Sequence, residues 1–257
     1  MVMKKANSED MILERFRDED SVLIIDDGNK DELVDVLRKI RDPDNWSKWI
    51  QSYGKADPTP DFYSDELGMM MEVMSVDDRT YQDGRRFFNK TKEAENKAFQ
   101  EFKSWDCGDD VSFVPLVSSG LPYYQDHNYS RYVADFQRVV GNHKSKIETY
   151  RANHPECGKL IFFIFDESTP YLFLSEPSKK PSQLLLSKAK PHLFYEDRAF
   201  LKVFDDPRID YVIWYTPYKV YSTISGPKPF ATSVIFSGRK HRVGRRYSVS
   251  RMASAEL

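Results

Sequence analysis

The sequence predicts an α/β fold, with a central mixed sheet flanked by helices. Three patterns carry that prediction. Lys159 to Phe165 is a continuous apolar run bounded by charges, as expected of a strand covered on both faces. Tyr129, Tyr132, Val133, Phe136, Val139, Val140, Ile147 and Tyr150 keep one helical face over about six turns. Between Asp61 and Val76 two short arms flank a polar turn, the pattern of an antiparallel hairpin. A hairpin followed by a long helix and a buried strand implies a layered core.

Taken in order, Val22 to Ile25 is short and rich in β-branched residues and stops at Asp26-Asp27-Gly28, which reads as a buried strand entering a turn. Leu33, Val36, Leu37 and Ile40 then fall at i, i+3, i+4 and i+7, and Asp42-Pro43-Asp44 ends that helix. Asn45 to Tyr53 reads as a second short helix, broken by Gly54, Pro58 and Pro60. The hairpin follows as Asp61-Phe62-Tyr63, a turn over Ser64 to Gly68, and Met69 to Val76. Residues 77–128 have mixed signals and read as an insertion, with a charged helix over Lys90 to Trp105 and a strand over Val111 to Val117. Beyond the long helix and the apolar run, 177–191 is a loop rich in Ser, Lys and Pro, Arg198 to Phe204 a short helix, and Asp210 to Thr216 another buried strand.

Composition bounds what such a chain can be. With 257 residues, 40% of them hydrophobic and 14% aromatic, it has enough large apolar side chains for a substantial core and too many for disorder. No run approaches the roughly 18 apolar residues of a membrane span, and the opening MVMKKANSEDMILERF lacks the apolar stretch of a signal peptide. Cys107 and Cys157 are neither clustered nor in metal-ligand spacing. A cytoplasmic protein with no membrane partner is the expectation. The formal charge of -2 hides a local asymmetry, because Arg239, Lys240, Arg242, Arg245 and Arg246, with Arg251 beyond them, crowd basic charge near the C-terminus. Such a run is either a solvated tail or a footprint for nucleic acid.

Two carboxylates on the hairpin stand out. Glu72 lies inside Met69-Met70-Met71-Glu72-Val73-Met74, where an unpaired charge would be costly. Strand alternation puts Met70, Glu72 and Met74 on one face and Met71 and Val73 on the other. If the arms pair, Asp61 and Glu72 converge and present oxygen ligands to a hard divalent ion. The competing reading pairs Glu72 with Arg79, Arg85 or Arg86 in a buried salt bridge. Asp166-Glu167 at the end of the apolar run is a second acidic candidate. His143 reads as a packed core histidine, and Tyr123-Tyr124 and Trp214-Tyr215 as core rather than base-stacking aromatics. Neither a GxSxG motif nor a well-placed Cys-His pair supports a nucleophilic hydrolase.

Pro60-Asp61, the eleven-residue step to Glu72, and the helix and strand that follow resemble the PD-(D/E)XK nuclease superfamily, with its restriction-endonuclease-like core. The resemblance covers roughly residues 30 to 165. It implies that Asp61 and Glu72 bind Mg2+ or Mn2+ and that the chain hydrolyses phosphodiester bonds in DNA or RNA, in keeping with a restriction or prophage enzyme of bacterial or phage origin. The lysine that the family places two residues after the Glu is replaced here by Met74. Lys146 with Tyr150 resembles the family's (Q/K)xxxY pattern on the following helix and would supply it, with Lys144 a second candidate. The chain then divides into one nuclease-like α/β domain over 1–236, its core at about 30–165 and its insertion at about 77–128, and a basic C-terminal tail over 237–257. Nucleic acid is the implied partner, and a homodimer is compatible with the reading. The alternative is a non-catalytic binding or assembly module on a degenerate nuclease-like fold, for which Met74 speaks.

Overall fold

A computed structural model of the chain describes residues 9–19, 22–52, 59–78, 97, 127–178, 181–217, 219–223, 226–229, 233–241 and 244–255. The expected helix at 90–105, strand at 111–117, and Tyr123-Tyr124 lie outside the described residues, Lys97 apart. So do Arg79, Arg85 and Arg86.

The centre is a seven-stranded mixed sheet. Its strands are β1 (Leu23–Ile24), β2 (Ile50–Gln51), β3 (Phe62–Ser64), β4 (Met69–Val76), β5 (Lys159–Asp166), β8 (Tyr211–Tyr215) and β11 (Val234–Ser237), in the order β1-β11-β8-β5-β4-β3-β2. The three strands β2, β3 and β4 form an antiparallel meander, with Gly68 at φ +66° closing the β3–β4 turn where a side chain would be strained. The chain then crosses over through α4 (Tyr129–Lys144) and α5 (Ile147–Asn153) to lay β5 parallel to β4.

Alternation along the strands sorts the core into two layers. Met70, Met74, Leu160, Phe162, Ile164, Val212 and Trp214 face α4, α5 and α7 (Arg198–Leu201), where Tyr132, Phe136, Val140, Ile147 and Phe200 meet them. Met69, Met71, Val73, Ile161, Phe163, Phe165 and Ile213 face the opposite way. There they pack on Ile12, Leu13 and Phe16 of α1 (Glu9–Arg17) and on Leu33, Val36 and Ile40 of α2 (Lys30–Arg41). The period-two pattern of β4 and β5 thus supplies both layers at once. No helix among the described residues is long and apolar enough to cross a membrane.

Several expectations need correction. The strand expected at 22–25 is only Leu23–Ile24, and it is an edge strand paired on one side to β11, which leaves Leu23 exposed. The helix expected over 45–53 is one turn, α3 (Pro43–Trp46), followed by β2, because pairing with β3 captures Ile50 and Gln51. The helix expected over 129–150 breaks at Ser145–Lys146. Gly141 is a weak helix former there, and the Ser145 hydroxyl donates to the Asn142 carbonyl at 2.7 Å, competing with the helical ladder. The loop expected at 177–191 holds a short helix, α6 (Gln183–Ser187), and β7 (Lys190–Pro191). The tail expected from 237 is not a free segment. Residue 237 ends a core strand, and β12 (Met252–Ser254) pairs with β6 (Tyr171–Phe173) in a three-stranded sheet with β7, its three residues buried. A two-stranded ribbon, β9 (Val220–Thr223) and β10 (Gly226–Pro229), lies between β8 and β11 in the chain.

Candidate active site

Hairpin register builds the site. Phe62 pairs with Met71, so the next cross-strand position sets Asp61 opposite Glu72, and opposed residues of an antiparallel pair share a face. The Asp61 N–H donates to Glu72 Oε2 at 3.3 Å, and the Val73 N–H donates to Asp61 Oδ2 at 2.7 Å. The eleven-residue step in the sequence is therefore the span of this turn. Glu72 is buried, at 3% exposure, in the layer that α4 and α5 cover.

Its other oxygen meets those helices. Tyr150 Oη donates to Glu72 Oε1 at 2.7 Å, and His143 Nδ1 hydrogen-bonds the same oxygen. Residues 143, 146 and 150 stand at i, i+3 and i+7, a spacing that keeps them on one side even though the helix breaks between the first two. The break also lets the Lys146 N–H bond the His143 carbonyl at 3.1 Å, tightening the turn that links them. The positive charge of Lys146 acts on Asp61 and favours its ionised form. Met74, by contrast, is buried at 2% exposure among apolar side chains, so β4 brings no cation to this face.

The electrostatics are those of crowded acid. Burial, then the charge of Glu72, then that of Glu9 push the Asp61 carboxyl up from 3.8 to about 8, against the Val73 hydrogen bond and Lys146. Glu9, at the start of α1, is raised by burial first and by Glu72 next, and a hydrogen bond from Gln51 opposes the shift. Three carboxylates, Glu9 of α1, Asp61 just before β3 and Glu72 of β4, thus feel one another. Such a region favours a cation, and its oxygen donors suit a hard one. Among the described residues no group of three or more His, Cys, Asp or Glu side chains forms a ready-made cage. Mg2+ commonly takes only one or two carboxylates, with water and substrate phosphate completing its shell, so the Asp61–Glu72 pair fits it.

Comparisons with protein families, curated proteins and solved structures return no match. Geometry alone therefore carries the functional reading.

The remaining expected residues divide. Asp61, Glu72 and Tyr150 come together, Lys146 is exposed and reaches Asp61 only through its charge, and Lys144 turns away and donates to the Val203 carbonyl at 3.1 Å. His143 is no packed core histidine, because it contacts Glu72; its place three residues before Lys146 was the available signal. Glu9 and Gln51 had no spacing signal, since they join through tertiary packing. Asp166 is fully buried and saturated. It accepts from Trp214 Nε1 at 2.8 Å, the Ser168 N–H at 2.9 Å and Tyr132 Oη, with Lys219 Nζ at 3.2 Å. Trp214 lies in the core as expected. Among the basic residues, Arg239 pairs with Asp210 at 2.7 Å and Arg245 with Glu196 at 2.5 Å, Lys240 and Arg246 are exposed, and Arg242 lies outside the described residues. A cavity of about 650 Å³ opens at the far end of α4, between His127, Tyr129, Tyr171 and Met252. None of the acidic-site residues lines it, and the convergent carboxylates outweigh its size as a guide to chemistry.

Proposed function

We propose that this chain is a divalent-metal-dependent nuclease of the PD-(D/E)XK type, hydrolysing phosphodiester bonds in DNA or RNA. The observation that carries the reading is the Asp61–Glu72 pair, joined by hairpin register, with Tyr150 hydrogen-bonded to Glu72 and the charge of Lys146 acting on Asp61. The β3–β4 hairpin, followed by helices and a parallel β5, supports it as the order of elements that the sequence resemblance implies. Asp61 and Glu72 would hold the ion. When bound, Mg2+ or Mn2+ supplies an activated water and offsets charge on the phosphate.

The protein's own contribution is orientation and proton control. Tyr150 and His143 fix Glu72 Oε1 from the helix side, so that Oε2 and the Asp61 carboxyl remain towards the strand side. Met74 holds the position where the family has its lysine; Lys146, exposed at the break between α4 and α5 and acting by its charge on Asp61, would take over that role, its ammonium orienting the attacking water and stabilising developing anionic charge. Purified protein is expected to cut DNA or RNA with Mg2+ or Mn2+, and Glu72→Ala to abolish cutting by at least about a hundredfold with an unchanged circular dichroism spectrum. Undiminished cutting by Glu72→Ala would overturn the reading. The apolar surroundings of Met74 favour a second one, a non-catalytic nucleic-acid-binding module. Salt-sensitive binding with no cutting under any divalent ion would support it.

A further inference from the structure

Away from the acidic pair, four cations gather at the end of the sheet where β5 and β8 begin. Asp210, 2% exposed, caps that end by accepting the Leu160 N–H at 2.9 Å. Arg151 of α5 reaches it at 3.2 Å, Arg239 from the turn after β11 at 2.7 Å, and Lys159 at the head of β5 at 3.7 Å. Lys240 is exposed beside them, and its charge acts on Glu32 of α2, which also takes Lys159 at 3.3 Å. One cation would neutralise Asp210. Instead two carboxylates serve four cations, in a chain whose total charge is -2.

The array is held rather than loose. Arg151 Nη2 donates to the Arg208 carbonyl at 2.8 Å, and Lys159 Nζ lies 5.4 Å from the centre of the Tyr211 ring. Its cationic ends nevertheless reach solvent, the Arg239, Lys159 and Arg151 side chains being 52%, 43% and 29% exposed. The array also adjoins the acidic pair, because Tyr150 contacts Glu72 and the next residue, Arg151, contacts Asp210. Glu72 pairs with Phe162 and Met70 with Leu160, whose carbonyl accepts the Asp210 N–H. Asp210 is therefore two residues along and two strands across from Glu72, about 12 Å at ordinary sheet spacings. That is three to four nucleotide rises along one strand of a duplex, at about 3.4 Å each.

We propose that Arg151, Lys159, Arg239 and Lys240, gathered around Asp210, form the face that grips the phosphate backbone of duplex nucleic acid beside the Asp61–Glu72 site. The inference rests on the nuclease reading and relocates the expected basic contact. Arg239 and Lys240 belong to it, while Arg245 is turned to Glu196.

The test is binding of a fluorescein-labelled 20-base-pair DNA duplex to the full chain in EDTA, followed by anisotropy between 50 and 200 mM KCl. Arg151→Gln, Lys159→Gln and Arg239→Gln should each flatten the slope of log affinity against log salt by about 0.9. The fall in affinity over that range then shrinks about 3.5-fold per charge. Each single variant leaves Asp210 two cations, and Lys159→Arg, which keeps the charge, should keep the wild-type slope. Arg38→Gln, on the exposed face of α2 beside Asp35, should leave it unchanged too. Unchanged slopes in all three neutral variants, flattening by Arg38→Gln as well, or a wild type that fails to bind the duplex at 50 mM KCl would overturn the proposal. A wild type that cuts but whose slope ignores these charges sinks this face alone. One that binds with the predicted slopes but never cuts sinks the enzyme and keeps the face.

Discussion

Replacing Asp61 by asparagine removes a carboxyl that folding forces into the company of Glu72 and Glu9. The amide oxygen can still accept the Val73 N–H, now 2.7 Å from Oδ2, so the hairpin contact survives. Burial and like charge raise the Asp61 carboxyl from 3.8 to about 8. Because the folded value lies above the unfolded one, its contribution to stability is fully present below about pH 4 and is lost as pH rises through about 8. At about 1.36 kcal/mol per unit, ionisable Asp61 costs the fold on the order of 2 kcal/mol at pH 5 and on the order of 6 kcal/mol at pH 9. Asparagine escapes both. In EDTA the Asp61→Asn variant should therefore melt above the wild type, and the gap should widen by roughly 10 °C between pH 5 and pH 9, at about 2–4 °C per kcal/mol. Millimolar Mg2+ should narrow the gap, since an ion held by the carboxylates stabilises only the chain that has both. Thermal melts by circular dichroism measure all three quantities. A variant that melts below the wild type at pH 9, or a gap that is the same at both pH values, would refute the crowded-acid account of this site.

Two further expectations concern stability away from the acids. Lys219→Met leaves Asp166, wholly buried, without its cation and should cost about 3–5 kcal/mol in urea denaturation. A loss under about 1 kcal/mol would mean that Tyr132, Trp214 and the Ser168 N–H suffice to hold that carboxylate. Asp206 is held down to about 2, from 3.8, chiefly by its hydrogen bonds from the Arg208 guanidinium. Its contribution is therefore present above about pH 4 and lost as pH falls through about 2. Wild-type stability should drop between those values relative to Asp206→Asn, and parallel acid titrations of the two would expose any failure to converge near pH 2.

Where local pattern sets structure, the sequence was legible. The alternation in β4 and β5, the face of α2 and the hairpin register could be read directly, and the register is what brings Asp61 to Glu72. Legibility ended where distant segments decide. Nothing local distinguishes Leu23–Ile24 as an edge strand, because that is set by its having a single ladder partner, β11, among the described residues. Residues 45–53 look helical in isolation, yet Ile50 and Gln51 are taken by β3. Glu9 enters the site only because α1 lies over the sheet. The basic run could be counted along the chain but its partners could not, since Arg239 pairs with Asp210 and Arg245 with Glu196 only through tertiary packing.

The pairing of β1 with β11 sets an order on how the sheet is assembled. Leu23 meets Val234 across roughly 210 residues of chain, and closing a loop of that length costs about 5 kcal/mol of chain entropy before any contact repays it. The β3–β4 hairpin needs only a four-residue turn, Asp65 to Gly68, and so forms from neighbours in sequence. Assembly is therefore expected to start at the hairpin that carries the two acids and to reach β1 last, whose two-residue ladder is no longer than that of β2 at the other edge but closes a far longer loop. The acidic pair is thus set in the segment whose closure costs least, and the strand that is costliest to bring home lies four strands away from Glu72.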